Sequence, residues 1–149
     1  MKPMRMHHVG IVIPTIEKAQ EIMDLLGLTI DYTGYVEAYE ADLIFTKHGE
    51  FDSPIEFIIP QGGVLKDFNE GRGGIAHVAF EVEDVEAVAK EMQSKGKKML
   101  ESASVPGTED IKVNFLRPKY SNGILFEFVE TVGPINYSFQ KEGEEGVSF

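Results

Sequence analysis

The sequence predicts an α+β protein built from two copies of one strand–helix–three-strand (βαβββ) module, and three observations carry that prediction. First, Met6-His7-His8-Val9-Gly10-Ile11-Val12-Ile13 is echoed by Ile75-Ala76-His77-Val78-Ala79-Phe80-Glu81-Val82, each an apolar, β-branched run holding a histidine. Second, helix start and stop signals follow both runs at matching distances. Thr15 and Asp84 lie 7 residues beyond His8 and His77, and Gly27 and Gly96 lie 19 beyond them. Third, each copy ends in an apolar strand carrying a glutamate, Glu56 at 48 residues past His8 and Glu127 at 50 past His77. A four-stranded sheet with one helix covers a single face, so each copy leaves a face that its duplicate is expected to serve.

Taken in order, His8 to Ile13 reads as a strand stopped by Pro14, with Thr15 as the N-cap of a helix. Ile16, Ala19, Ile22, Met23 and Leu26 form its buried stripe, and Gly27 ends it. Leu28 to Tyr32 is a second strand, Gly34 a turn, and Tyr35 to Tyr39 fits strand and loop equally. Asp42 to Thr46 and Ile55 to Ile59 are strands separated by a turn at His48-Gly49. Pro60-Gln61-Gly62-Gly63 breaks the pattern, and Gly71-Arg72-Gly73-Gly74 closes a linker whose Val64, Leu65 and Phe68 suggest an amphipathic turn. The second copy repeats the order. Ile75 to Val82 is a strand, Asp84 caps a helix burying Val85, Val88, Ala89 and Met92, and Gly96 stops it. Met99 to Ser102 is a short strand, Pro106-Gly107 a turn, Lys112 to Leu116 a strand, Tyr120 to Gly123 a turn, and Ile124 to Glu130 the last strand. The expected organisation is one domain over residues 1–130 (first module 6–60, linker 61–74, second module 75–130), with 131–149 a tail whose Lys141 to Gly146 stretch reads as solvated and mobile.

A formal charge of −11 speaks against nucleic acid and anionic membrane surfaces. With no cysteine, neither disulfides nor thiolate metal sites are available. The N-terminal residues lack an apolar secretory stretch and no run is long enough to span a bilayer, so a cytoplasmic protein is expected.

Alternation puts Glu127 on the face of Leu125 and Val129, and Glu56 on the face of Ile58. A carboxylate desolvated there without a partner costs several kcal/mol. Either each strand lies at an edge and wets its glutamate, or the glutamates have a partner. The same anomaly in both copies favours the partner. His8 and His77 share that logic, which makes His8, Glu56, His77 and Glu127 one expected metal-ligand set. Two neutral imidazoles and two carboxylates balance a divalent cation, whether zinc, cobalt, nickel, manganese or iron(II). His7 falls on the opposite face by alternation and reads as a neighbour; His48 reads as surface.

These residues bring the chain close to a known family. It resembles the vicinal oxygen chelate (VOC), or glyoxalase, superfamily over about residues 6–130, in which paired βαβββ modules form a cupped mixed β-sheet around a central metal site. The His8, Glu56, His77, Glu127 order matches the His-Glu-His-Glu set of bacterial glyoxalase I. The second half is closer to methylmalonyl-CoA epimerase: Gly73 to Val85, Phe115-Leu116-Arg117-Pro118-Lys119 and Asn122 to Glu127 are similar to that family's segments. It departs from them at Ala76-His77, where the epimerases have His-His, and at Tyr35 to Glu40, where their catalytic glutamate lies in Pro-Glu-x-Gly-Val. Ser53-Pro54-Ile55, like their Ser-Pro-Ile, precedes the Glu56 strand instead of following it. Glu37 and Glu40 are the candidates in that second region, alongside Glu56 and Glu127, for moving a proton.

The resemblance implies a metal-dependent epimerase or isomerase that abstracts a proton next to a thioester or carbonyl through a stabilised enolate. It also implies a small-molecule substrate such as an acyl-CoA, and a homodimer. The alternatives are a glyoxalase I-like lyase of thiol adducts, a dioxygenase with a two-histidine, one-carboxylate triad, and a non-catalytic small-molecule-binding protein of the same fold.

Overall fold

A computed structural model of the chain describes residues 1–108 and 110–133. The expected tail from 134 on, with its acidic stretch, lies outside the described residues. The element order is β1 (Arg5–Val12), α1 (Ile16–Leu26), β2 (Ile30–Val36), β3 (Ala41–Thr46), β4 (Ile55–Pro60), β5 (Gly74–Glu81), α2 (Val85–Ser94), β6 (Val105–Pro106), β7 (Ile111–Leu116) and β8 (Leu125–Thr131). Single 3-10 turns sit at Glu37–Tyr39 and Pro118–Tyr120, and Val64–Gly71 holds 3-10 turns interrupted by a kink at Phe68 to Glu70. Both copies are therefore βαβββ. β1 and β5 share one burial alternation residue for residue in the repeat register, Arg5 with Gly74 and His8 with His77. No described helix is long and apolar enough to cross a membrane.

The described residues divide into two compact units, Val9–Ala76 and the residues Met1–His8 together with those from His77 to Gly133. The division falls inside β1, three residues later than the sequence module begins. In the first unit the strand order is β2-β3-β4-β1, with β1 parallel to β4 and the other neighbours antiparallel. Thr15 Oγ1 accepts from Lys18 N–H and starts α1, and Gly27 ends it at φ 68°. Ala19 and Met23 of that helix pack on Ile13, Ile44, Phe57 and Ile59. The opposite face carries Val12, Leu43, Phe45 and Ile58, onto which Leu65 and Phe68 of the linker fold. Gly73, at φ 78°, is obligatory in that linker, because a Cβ there would collide with the Val12 carbonyl oxygen.

In the second unit the order is β5-β8-β7-β6, with β5 parallel to β8 and β7 antiparallel to both β8 and β6. Asp84 caps α2 by accepting from Ala87 N–H, and Gly96 follows the helix at φ 73°. Val85 and Val88 pack on Val82, Met99 and Phe128. Met4 and Arg5 belong to this unit: Met4 N–H donates to the Glu81 carbonyl at 2.8 Å, and Arg5 Nε donates to the Glu81 carboxylate at 3.2 Å.

Several local expectations give way to pairing. Gly34 is not a turn but a β2 residue facing Leu43; the irregularity falls instead between Ile30 and Tyr32. Pro60 closes β4 rather than breaking it, in register with Ala41. Met99 to Ser102 is no strand. Met99 makes one bridge to Leu116, and beyond it the Asn114 side chain takes both the N–H and the carbonyl of Glu101, at 3.1 Å each. A side chain thus consumes the groups a ladder would need. The short strand is Val105–Pro106 instead, so Pro106 is no turn residue.

Candidate metal centre

His8 sits in β1 and His77 in β5, on the buried parity of their strands, at 2% and 6% relative exposure. Glu127 lies in β8 opposite Ala79 of β5 on one side and Phe115 of β7 on the other. The alanine leaves room above the sheet, and the phenylalanine ring stands edge-on to His77 at 6.1 Å. Among the described residues, His8, His77 and Glu127 form the one group of three whose ligand atoms all lie within 4.8 Å of one another. His8 Nε2 is 3.0 Å from His77 Nε2 and 3.0 Å from Glu127 Oε1, and His77 Nε2 is 3.6 Å from the same oxygen.

Those edges suit a shared cation. Ligand bonds of about 2.1 Å separate neighbouring donors by about 3.0 Å at a right angle and about 3.4 Å at the tetrahedral angle. Glu127 Oε1 is buried, and no hydrogen-bond donor is aligned on it, although His8 Nε2 stands at ion-pair distance. The distance is the better guide to the chemistry. Two imidazole nitrogens and a carboxylate oxygen gathered this closely agree with coordination, and without a cation the two ring nitrogens share a hydrogen bond at 3.0 Å. On donor type, spacing and this unsatisfied oxygen, the residues fit a divalent metal.

Glu56 lies in the other unit and is buried in β4 at 7% exposure, the same value as Glu127. Its cross-strand neighbours are Gly10 of β1 and Phe45 of β3. The environment of Glu127 is thus repeated term by term, a minimal residue on one side and a phenylalanine on the other. Glu37 and Glu40 are exposed around the 3-10 turn after β2. Glu40 is left-handed at φ 49°, its carboxylate lying over Gly62-Gly63. His48 is half-buried, with Nδ1 2.8 Å from the Gly49 carbonyl.

Sequence reasoning missed one buried carboxylate on the strand of His77 and read a second residue only as a neighbour. Glu81 shares the parity of His77, is 5% exposed, and accepts from Arg5 Nε and from Thr131 Oγ1 at 2.9 Å. Alternation along β5 already contained that signal. His7 is the other: its Nδ1 lies 2.8 Å from His8 Nδ1, the rings edge-to-face. Simple alternation hides this contact, since it separates consecutive residues.

A family model described as the Glyoxalase/Bleomycin resistance protein/Dioxygenase superfamily matches residues 7–115. The chain belongs to that superfamily. Its similar proteins within the superfamily include several epimerases. The ethylmalonyl-CoA/methylmalonyl-CoA epimerase of Cereibacter sphaeroides is 30% identical over 129 residues, covering 83% of this chain and 95% of that one. Mitochondrial methylmalonyl-CoA epimerase of Mus musculus is 27% identical over 130 residues, covering 83% of this chain and 71% of its own. The crystal structure of methylmalonyl-CoA epimerase from Mycobacterium tuberculosis superposes with a TM-score of 0.81 at 24% identity, over 89% of this chain and 90% of that one. That last likeness establishes the glyoxalase-type fold. The superfamily match itself ends before Glu127, so the third candidate ligand rests on geometry.

Proposed function

We propose that this chain is a divalent-metal-dependent epimerase of acyl-CoA thioesters of the malonyl type, inverting the carbon beside the thioester carbonyl. The observation that carries the reading is the buried triad of His8, His77 and Glu127 in a chain 30% identical to an ethylmalonyl-CoA/methylmalonyl-CoA epimerase. His8 Nε2, His77 Nε2 and Glu127 Oε1 would hold the metal; Glu56, buried in a like setting, is proposed as the second carboxylate. Zinc, cobalt, nickel, manganese and iron(II) all suit such donors. When bound, the cation supplies Lewis-acid stabilisation of the negative charge that grows on the carbonyl oxygen as the proton leaves.

The chain's own residues do the rest. Epimerisation takes a proton from one side of a carbon and returns one to the other, so it needs carboxylates that can be reprotonated. Glu37 and Glu40, being exposed, trade protons with water directly. Glu56 and Glu127, being buried, hand a proton on only through substrate or a neighbouring group. We assign the base to this set of four. A homodimer is proposed with this reading, and a solution mass of about twice 16.6 kDa checks it.

The test is deuterium wash-in. Metal-loaded protein incubated with methylmalonyl-CoA or ethylmalonyl-CoA in heavy water should place deuterium on the α-carbon. Glu127→Gln should lose both exchange and stoichiometric metal. Glu37→Gln and Glu40→Gln should keep the metal and separate the base from its neighbour. No wash-in on any malonyl-type thioester by metal-loaded protein would sink the proposal. Turnover of a methylglyoxal–thiol adduct in its place would put the glyoxalase I-like reaction forward.

A further inference from the structure

We propose that His7 is a positioning residue for the metal centre, accepting a hydrogen bond from His8 Nδ1–H and so holding the His8 Nε2 lone pair toward His77 and Glu127. The inference rests on the metal-centre reading above and goes beyond it, because His7 is not one of the converging donors.

The argument starts from proton accounting. His8 Nε2 and His77 Nε2 face each other at 3.0 Å, and both can bind one cation only if both carry lone pairs. A neutral His8 must then keep its proton on Nδ1, and that nitrogen meets His7 Nδ1 at 2.8 Å. His7 Nδ1 accepts, which places the His7 proton on its own Nε2. Were the bond reversed, His8 would carry its proton on Nε2, aimed among the other donors, and could not ligate. Metal-binding histidines are commonly fixed through their second nitrogen, and loss of that partner lowers metal affinity about 10- to 100-fold.

The repeat separates this role from a structural one. The residue equivalent to His7 in the second copy is Ala76, on a strand with the same burial alternation. The strand therefore does not need an imidazole at this position. His7 is also only half-buried, so its removal opens no core cavity.

Two measurements decide it. In metal-free wild-type protein, at a pH where the imidazoles are neutral, long-range proton–nitrogen correlation spectra should show His8 protonated on Nδ1 and His7 on Nε2. The opposite assignment overturns the proposal. In titrations of cobalt(II) followed by its visible absorption, His7→Ala should weaken binding about 10- to 100-fold with an unchanged metal-free melting midpoint. His7→Asn, whose Oδ1 restores an acceptor, should recover most of the loss. Equal cobalt affinity in wild type and His7→Ala overturns the role, as does a loss that simply follows a lowered midpoint. Should wild type itself take up no cobalt(II), the metal-centre reading fails, and the tautomer spectrum separately confirms or overturns the hydrogen bond.

Discussion

Glu127 owes its usefulness to the unequal size of its two cross-strand neighbours. Ala79 leaves the carboxylate a way across the sheet, while Phe115 closes the other side and excludes water. Glu56 between Gly10 and Phe45 repeats the device. Glu81 shows the opposite use of a buried carboxylate, as a clamp: it ties Arg5, and with it the residues leading to His8, to the β5 strand and Thr131. Truncation to Glu81→Ala leaves a partly buried hydroxyl and a partly buried guanidinium without this acceptor. We expect a loss of about 2 kcal/mol in urea unfolding, together with weaker metal binding because His8 is three residues from Arg5. Unchanged stability would show that the clamp carries no weight. At this scale the sequence disclosed the four ligand candidates, since a charged residue on an apolar parity is visible in one dimension. It named His7 as a neighbour but did not disclose its contact with His8, because that contact joins two consecutive side chains that a period of two assigns to different faces.

The two helices are set by short-range chemistry, and their caps can be tested as a pair. Thr15→Ala and Asp84→Ala each remove an acceptor from the first turn, so each should cost about 1 kcal/mol, and the two should add because they lie in different units. Strong non-additivity in thermal or denaturant unfolding would contradict independent caps. Helix α2 also carries a pH-dependent element. Hydrogen bonding from Ser104 holds the Glu86 carboxyl below its ordinary 4.5, with the Lys112 charge helping against the cost of burial. A depressed folded-state pKa means the carboxylate stabilises the fold fully above the unfolded value and loses that contribution as pH falls through the folded one. Wild type should therefore exceed Glu86→Gln in stability at neutral pH, with the gap closing in acid. A gap that persists below both values would rule out ionisation as its source. The caps, the helix stops and most strand cores were readable because they depend on residues a few positions apart. Gly34 and Met99 to Ser102 were misread because Leu43 in one case and Asn114 in the other, both distant in the chain, took the deciding hydrogen-bonding positions.

For the molecule as a whole, the proposed cation is a folding ligand as well as a reaction partner. A ligand that binds only the folded chain adds about 2.7 kcal/mol at 100 times its dissociation constant. For a protein of 149 residues that should raise the melting midpoint by roughly 5–10 °C, reversibly with a chelator. The His77→Ala protein should melt at the same temperature with and without cobalt(II). A wild-type midpoint indifferent to every divalent cation would count against the triad as a metal site.

Length, charge, the absence of cysteine and the doubled pattern of strand, cap, stop, histidine and glutamate were fixed in one dimension, because periodicity and capping are local and duplication is countable. That was enough for the βαβββ modules, for the superfamily and for naming the candidate residues of the centre. Only the tertiary structure decided that His8, His77 and Glu127 bring three donors to edges of 3.0, 3.0 and 3.6 Å, that Glu81 is a clamp, and that His7 reaches His8. Such facts depend on register and side-chain direction, across 50 or more residues for the triad and the clamp and between consecutive side chains for His7, and no local preference encodes those.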